Sequence, residues 1–354
     1  MKRVLIGYDI GGTSARVALF EIEATTTTAS HGSPLDVIVE PLRLDRSPEA
    51  LFEKMRAMLL ELTTRHAIDP ISQIHAIGVG LAAQLDTATG HVFNAPNLGW
   101  RAIDLVPILR DVWSGGGEAQ TGNLDELVDR VFFFNDLNAY VYGDVSLRCM
   151  DDPANYRDVL GVAVGTGVGA AIVSSGRLLL GARGQAGEIG HVKVESPVYG
   201  KLCGCGERGC LEAYVGGVHL EAEIARQIDE LHPHWAGQVQ RDFEDASRSG
   251  VRIDLGKADA LCEEIEPIAL IFERAAEHFA TAVGAAVTLL NPQVLLLGGG
   301  VWSHAPGWRA RVMELLGARI LKVSGESLRV ESLGQAEHLS TLGAALLAMH
   351  QRRS

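Results

Sequence analysis

The chain is short of positive charge. It sets 31 lysines and arginines against 44 acidic residues, a net charge of −13. Such a balance argues against broad nucleic-acid binding, which draws affinity from a basic face that releases counterions. It leaves room for a local anion site, because backbone amides bind phosphate without any basic side chain. Long apolar runs are missing too. The stretch at residues 4–8 stops at Asp9, too short for the core of a signal peptide. The longest run, residues 279–290, ends at Asn291-Pro292 after about a dozen residues, where a membrane span needs about 20. The expected location is therefore cytoplasmic, with no membrane partner. Cysteine is scarce and odd in number: of five, three sit together as Cys203-x-Cys205-x4-Cys210. In a cytosolic chain such a cluster reads as a metal site before it reads as a disulfide. No G-x-x-x-x-G-K-S/T sequence occurs, which excludes a P-loop enzyme.

What is present is a globular composition. The chain has 354 residues, 47% of them apolar, enough for a packed core and, at this length, for two domains. Residues 4–9 read as a strand, Gly11-Gly12 as a tight turn and residues 15–21 as the returning strand. Ser47-Pro48 opens a helix whose apolar stripe is Leu51, Met55, Leu59 and Leu62. Further strands are expected at 74–81, 131–134, 159–164, 168–174 and 294–297. Helices are expected at 105–113, from 137, from 211 toward 231, at 272–290 and at 341–349. Strands alternating with helices imply α/β layering. The hairpin turned by Gly165-Thr166-Gly167 repeats the opening one, which points to two related halves. Residues 25–34 read as a loop, and residues 233–259, polar and without period, as an inserted surface loop.

Five places carry chemistry. In Asp9-Ile-Gly-Gly-Thr13 the carboxylate can hold a metal-bound water, and the Gly11 and Gly12 amides with the Thr13 hydroxyl can cradle a phosphate; a hairpin turn with a capping Asp is the other reading. The Gly165–Gly169 turn says little alone, but paired with the first it can help grip a triphosphate. Asn135-Asp136 ends a strand, where α/β sheets bind ligands. An Asp there can accept a hydroxyl proton and an Asn can fix a sugar hydroxyl, while a plain helix cap accounts for the same residues. Gly187-Glu188-Ile189-Gly190-His191 precedes the cysteines. Three thiolates plus one imidazole make a closed tetrahedral zinc set, structural because no coordination position is left open. His191 can give zinc one ring nitrogen and donate from the other to a ligand hydroxyl, with Glu188 and Glu212 placed by the same loop. Gly298-Gly299-Gly300, after a strand, lets a flat ring approach the backbone, or simply enters a helix. Cys149 and Cys262 read as small buried residues.

Together these residues resemble the ROK family of sugar kinases and repressors, over nearly the whole chain. The stretch from Gly187 to Glu212 resembles the family signature. Asn94-Ala-Pro-Asn97-Leu-Gly-Trp100 resembles the sugar-proximal segment of its glucokinase-like members. The resemblance implies a two-domain α/β fold of the hexokinase/actin/Hsp70 (ribonuclease H-like) kind with an interdomain cleft. Residues 1–134 plus 338–354 would form a small domain and 135–337 a large one. It implies an ATP-dependent hexose kinase, with glucose as the first expectation, using Mg2+ with ATP and a structural Zn2+. Asp136 would be the catalytic base and, with Asn97, Asn135, Glu188, His191 and Glu212, would bind the sugar. His191, Cys203, Cys205 and Cys210 would hold zinc. Asp9, Gly11, Gly12, Thr13, Thr166 and Gly167 would contact phosphate and Mg2+, and Gly299 and Gly300 the adenosine. A homodimer or homotetramer is implied as well.

Two departures bear on that expectation. Ser14 follows Thr13 where relatives often carry a basic or amide residue. Gly80-Leu-Ala-Ala-Gln84-Leu-Asp86 replaces the usual Pro-Gly turn near the sugar. The alternatives are a kinase for N-acetylmannosamine, N-acetylglucosamine, fructose or allose, and a non-catalytic sugar sensor. A repressor would need a DNA-binding segment ahead of Asp9, where the sequence is expected to leave no room.

Overall fold

The computed structural model describes residues 3–22, 32–42, 45–115, 124–230 and 253–352. Most of the expected 25–34 loop and of the 233–259 insert lies outside the described residues. β1 (Arg3–Ile10), β2 (Ser14–Ile22) and β3 (Asp36–Pro41) form an antiparallel meander, and β4 (Ile74–Leu81) pairs parallel with β1. β5 (Gln84–Asp86), β6 (His91–Ala95) and β7 (Trp100–Asp104) make a small antiparallel sheet. β8 (Val131–Asn135) pairs parallel with β4, giving the order β3-β2-β1-β4-β8.

β1 and β4 are buried along almost their whole length because helices cover both faces, as parallel central strands require. Alternation assigns the faces. Tyr8 looks toward the helix Pro48–Arg65, whose expected stripe is buried, and its hydroxyl donates to Met55 O at 2.7 Å. Trp113, at the end of the helix Leu105–Trp113, donates to Phe52 O of the helix Pro48–Arg65 at 3.1 Å. Gly7 looks the other way, toward the C-terminal helix Leu339–Gln351. A Cβ on Gly7 would overlap the Thr341 carbonyl, and one on Gly78 the Ala344 carbonyl. Glycine is what lets this helix lie directly on the sheet.

β9 (Val159–Val164) turns through Gly165-Thr166-Gly167 into β10 (Val168–Ser174), which pairs antiparallel with β11 (Arg177–Leu178). β12 (Val294–Gly298) lies parallel to both β9 and β13 (Arg329–Ser332). A hairpin followed by parallel neighbours thus occurs twice, as the repeated glycine turn implies. The helix Glu266–Leu290 buries Ile268, Phe272, Phe279, Val283 and Val287 and stops at Asn291, which caps it in the left-handed region at φ +45°. The helix expected after Leu211 is in fact two, Glu212–Val215 and Gly217–Glu230. They are broken at Gly216, whose ψ of 137° is extended.

The chain divides into two compact units: Met1–Arg157 with Ala171–Ala186 and Gly334–Ser354, and Asp158–Ala170 with Gly187–Leu333. The helix Asp136–Asp151 lies in the first unit, so this division falls later than residue 134. It is held there by the C-terminal helix, since a Cβ on Gly343 would overlap the Ala139 carbonyl. Among the described residues, no helix is long and apolar enough to cross a membrane.

Candidate functional site

In the first unit, the expected residues gather at one edge of the sheet. Asp9 pairs with Gly80, and Leu81 with Asn135, so β1, β4 and β8 end side by side. Carboxyl ends of parallel strands are where such sheets bind ligands. Gly80 allows the close fit: a Cβ there would sit 3.4 Å from Tyr8 O and 3.7 Å from Asp136 Cα. Burial pushes the Asp9 carboxyl above its usual range, and the Arg16 charge partly offsets this. A carboxylate in that position gains from a nearby divalent cation, so Asp9 fits the Mg2+ role. Arg16 itself is tied to Glu337, through its carbonyl and, at 3.3 Å, its carboxylate.

β1 ends in a turn closed by Gly11 N–H on Ser14 O at 3.1 Å, leaving Thr13 exposed. A Cβ on Gly12 would sit 3.4 Å from Asn97 Cβ, so the turn and the Asn94–Trp100 segment adjoin. That segment is pinned on both sides: Arg46 donates to Asn97 O at 2.9 Å, and Trp100 Nε1 donates to Arg46 O at 2.6 Å.

Asn135 is the cap of the helix Asp136–Asp151. Its Oδ1 accepts from Asn138 N–H at 3.1 Å, and its Nδ2 donates to Ala83 O at 3.3 Å. The cap reading of Asn135 therefore holds, with one amide hydrogen remaining for a ligand. Asp136 is the first helical residue, half-buried, with Oδ1 accepting from Leu137 N–H at 2.8 Å.

In the second unit, the cysteine knuckle folds as a tight loop. Cys203 N–H donates to Glu207 O at 2.8 Å and Gly206 N–H to Cys203 O at 3.0 Å, while Gly209 turns at φ +78°. The ligand atoms of His191, Cys203, Cys205 and Cys210 all lie within 4.8 Å of one another. Cys205 and Cys210 sulfurs are 3.8 Å apart, and Cys203 Sγ is 3.7 Å from His191 Nδ1. A tetrahedral zinc with Zn–S bonds near 2.3 Å sets sulfurs about 3.8 Å apart, so the donor set fits that ion. Burial pushes the Cys203 thiol well above its usual range, a cost that metal coordination removes. Lys193 donates to Cys210 Sγ at 3.1 Å, a cation against the thiolate cluster.

With Nδ1 on the cysteine side, His191 Nε2 faces Glu188 Oε2 at 3.6 Å. Gly190 docks this segment against β10, where a Cβ would overlap the Val168 carbonyl. Glu212 opens the helix after the knuckle. Its Oε2 accepts from Val168 N–H at 3.0 Å, and its Oε1 lies 3.6 Å from Cys203 Sγ. Gly299, at φ +94°, crosses the end of β9, where a Cβ would overlap the Val164 carbonyl. Gly300 then begins the helix Gly300–His304. Thus Thr166, Gly167, Glu188, His191, Glu212 and the cysteines are neighbours in one unit, as Asp9, Gly11, Gly12, Asn97, Asn135 and Asp136 are in the other. Lys193 and Ala83 O are participants that motif reading does not reach, since nothing local in the sequence marks them.

The model of the ROK family matches residues 5–351. A glucokinase of Halalkalibacterium halodurans is 27% identical over 355 residues, 99% of this chain and 97% of its own length. An N-acetyl-D-glucosamine kinase of Pasteurella multocida is 27% identical over 307 residues, 83% of each chain. The solved ROK glucokinase of Streptomyces griseus, in complex with glucose and AMPPNP, superposes with a TM-score of 0.66 at 24% identity, covering 99% of this chain and 100% of its own. The fold is therefore the two-domain α/β fold of the hexokinase/actin kind, and with the match spanning nearly every residue, this chain belongs to the ROK family.

Proposed function

We propose that this chain transfers the terminal phosphoryl group of ATP to a hexose, with glucose as its substrate. The observation that carries the reading is Asp136, set at the start of its helix on the same strand edge as Asp9 and braced by the Asn135 cap. Asp136 takes the proton from the sugar hydroxyl as its oxygen attacks the γ-phosphorus. The bond from that phosphorus to the bridging oxygen breaks, leaving ADP. Little covalent chemistry is asked of the protein; positioning and charge stabilisation are. Asn97, Asn135, Glu188 and His191 hold sugar hydroxyls, Asn135 through its remaining amide hydrogen and His191 through Nε2. Gly11, Gly12, Thr13, Thr166 and Gly167 offer amides and hydroxyls to the phosphates, and Gly299 and Gly300 open the backbone to the adenosine. Mg2+ held near Asp9 supplies charge neutralisation on the phosphates. Zinc, held by His191, Cys203, Cys205 and Cys210, supplies rigidity, because four protein ligands leave no site for a reacting group. The glucokinase relative over nearly the full length supports glucose; the N-acetylglucosamine kinase relative makes an acetylated hexose the second reading.

Asp136→Asn tests the base. Turnover should fall by roughly 10²–10⁴-fold while the glucose dissociation constant from calorimetry stays within about twofold. Retained turnover would refute the assignment.

A further inference from the structure

The first glycine turn has no basic side chain of its own: from Asp9 to Ala15 the sequence holds neither lysine nor arginine. Two cations near it are already engaged. Arg16 is tied to Glu337, and Lys54 donates to Pro41 O at 2.8 Å and faces Glu40 Oε2 at 3.5 Å. Arg46 is placed differently. The segment that leads to it is fastened to the turn, with Leu42 N–H donating to Thr13 O at 2.8 Å. Its backbone is pinned on both sides. Asp45 Oδ1 accepts from Ser47 N–H at 2.8 Å, Ser47 caps the helix Pro48–Arg65, and Trp100 Nε1 donates to Arg46 O at 2.6 Å. Arg46 is exposed, and its guanidinium donates to Asn97 O at 2.9 Å. That same oxygen lies 3.8 Å from where a Cβ on Gly12 would stand. One carbonyl thus borders both the cation and the turn. Among the described residues no carboxylate pairs with Arg46. A guanidinium has five N–H donors, so most of them remain for a ligand.

We propose that Arg46 is a catalytic residue of the phosphoryl transfer, contacting the phosphoryl group as it passes from ATP to the sugar and supplying the positive charge that the first glycine turn lacks. The inference rests on the hexose-kinase reading. Its place follows from the neighbours: Asn97 stands on the sugar side, Gly12 on the phosphate side, and the guanidinium reaches the carbonyl that borders both. Arg46 forms no bond to phosphorus and moves no proton, because a guanidinium stays charged at any working pH. It stabilises charge on the equatorial phosphoryl oxygens, where a pre-placed cation lowers the barrier. The caps and the Trp100 bond hold its backbone beforehand, so little ordering is left for the moment of reaction.

The test uses the full-length, zinc-loaded protein with Arg46→Gln and Arg46→Lys. Gln keeps a donor for Asn97 O without the charge, and Lys keeps the charge without the planar fork. Arg46→Gln should lower kcat by roughly 10²-fold, with Arg46→Lys between it and wild type. Calorimetry with Mg2+ should find AMPPNP and glucose 6-phosphate bound about tenfold more weakly by Arg46→Gln, and ADP and glucose within about twofold of wild type. That split follows from a contact to the transferred group alone. Wild-type kcat and AMPPNP affinity in Arg46→Gln would overturn the proposal and leave Arg46 as a brace for Asn97. Weakened glucose binding would overturn it in favour of a role in shaping the sugar segment. Equal weakening of ADP and AMPPNP would reduce Arg46 to a general attraction for nucleotide, and Arg46→Lys no better than Arg46→Gln would remove charge from the account. A wild type that binds no AMPPNP refutes the hexose-kinase reading and the proposal together; with a wild type that binds it, the variants decide the proposal alone.

Discussion

At the scale of single residues, Asp136 and His191 differ in how they are held. Asp136 is placed by backbone, as the first residue of a helix whose cap is its own neighbour. His191 is placed by the cysteines, and these are backed by Lys193 at 3.1 Å from Cys210 Sγ. A cation beside a thiolate favours the ionised, metal-binding form. Lys193→Gln should therefore release zinc to a chelator about tenfold more readily, read with a metal-sensitive dye; release unchanged from wild type would deny Lys193 that part. The sequence marks the ligands because ligand type, count and spacing agree, from His191 through Cys210. It does not mark Lys193 or the Ala83 carbonyl, because each reaches its partner only through folding: Ala83 meets Asn135 across 52 residues. Asn135 shows a second limit. Motif reading left a cap and a sugar ligand open, and only the bond to Asn138 identifies the cap.

At the scale of elements, period and punctuation were legible in many of the elements that bury a face. The strand Ile74–Leu81 and the helix Leu105–Trp113 fall where the apolar pattern places them. The small sheet β5-β6-β7 escapes such reading because Gln84–Asp86 is three residues long and Trp100–Asp104 carries mixed polarity, too little for a period of two to register. The break at Gly216 escapes for a different reason. A glycine pair after a helical stretch is compatible with a continuing helix, and what opens it is the turn across the unit's interior. The C-terminal helix gives the sharpest element-level prediction. A Cβ on Gly343 would overlap the Ala139 carbonyl and lie 2.7 Å from Gly143 N, both backbone. Gly343→Ala should thus destabilise by about 1–3 kcal/mol in denaturant unfolding despite alanine's better helix propensity. An unchanged or raised midpoint would show that the helix can shift without cost.

At the scale of the whole molecule, three histidines share one electrostatic condition. Burial lowers the pKa of His219, His278 and His338 from the usual 6.5, opposed at His278 by Glu195 and at His219 by Glu212. The folded chain then resists protonation that the unfolded chain accepts. Their contribution is complete above the unfolded pKa and is lost as pH falls through 6.5 toward the folded values. With zinc in excess, the melting midpoint should drop between about pH 7.5 and pH 5.5, and His278→Phe should flatten part of that drop. A slope identical to wild type would remove His278 from the account. The α/β layering and the two related halves were open to sequence reading, through alternating strands and helices and the repeated glycine-turned hairpin, while the hexokinase/actin kind came from the family resemblance. The sugar preference was not legible, because connections such as Ala82-Ala83 between β4 and β5 have no local period to dictate their conformation.

The central claim is phosphoryl transfer from ATP to a hexose. It is tested most directly by ADP release from ATP and Mg2+ in a coupled assay on zinc-verified protein, across glucose, mannose, fructose, allose, N-acetylglucosamine and N-acetylmannosamine. The account predicts sugar-dependent turnover that is strongest on glucose. A preference for an acetylated hexose would keep the mechanism and overturn the substrate. No ADP release with any of these sugars would contradict the kinase reading altogether and leave a protein that senses sugar without transforming it.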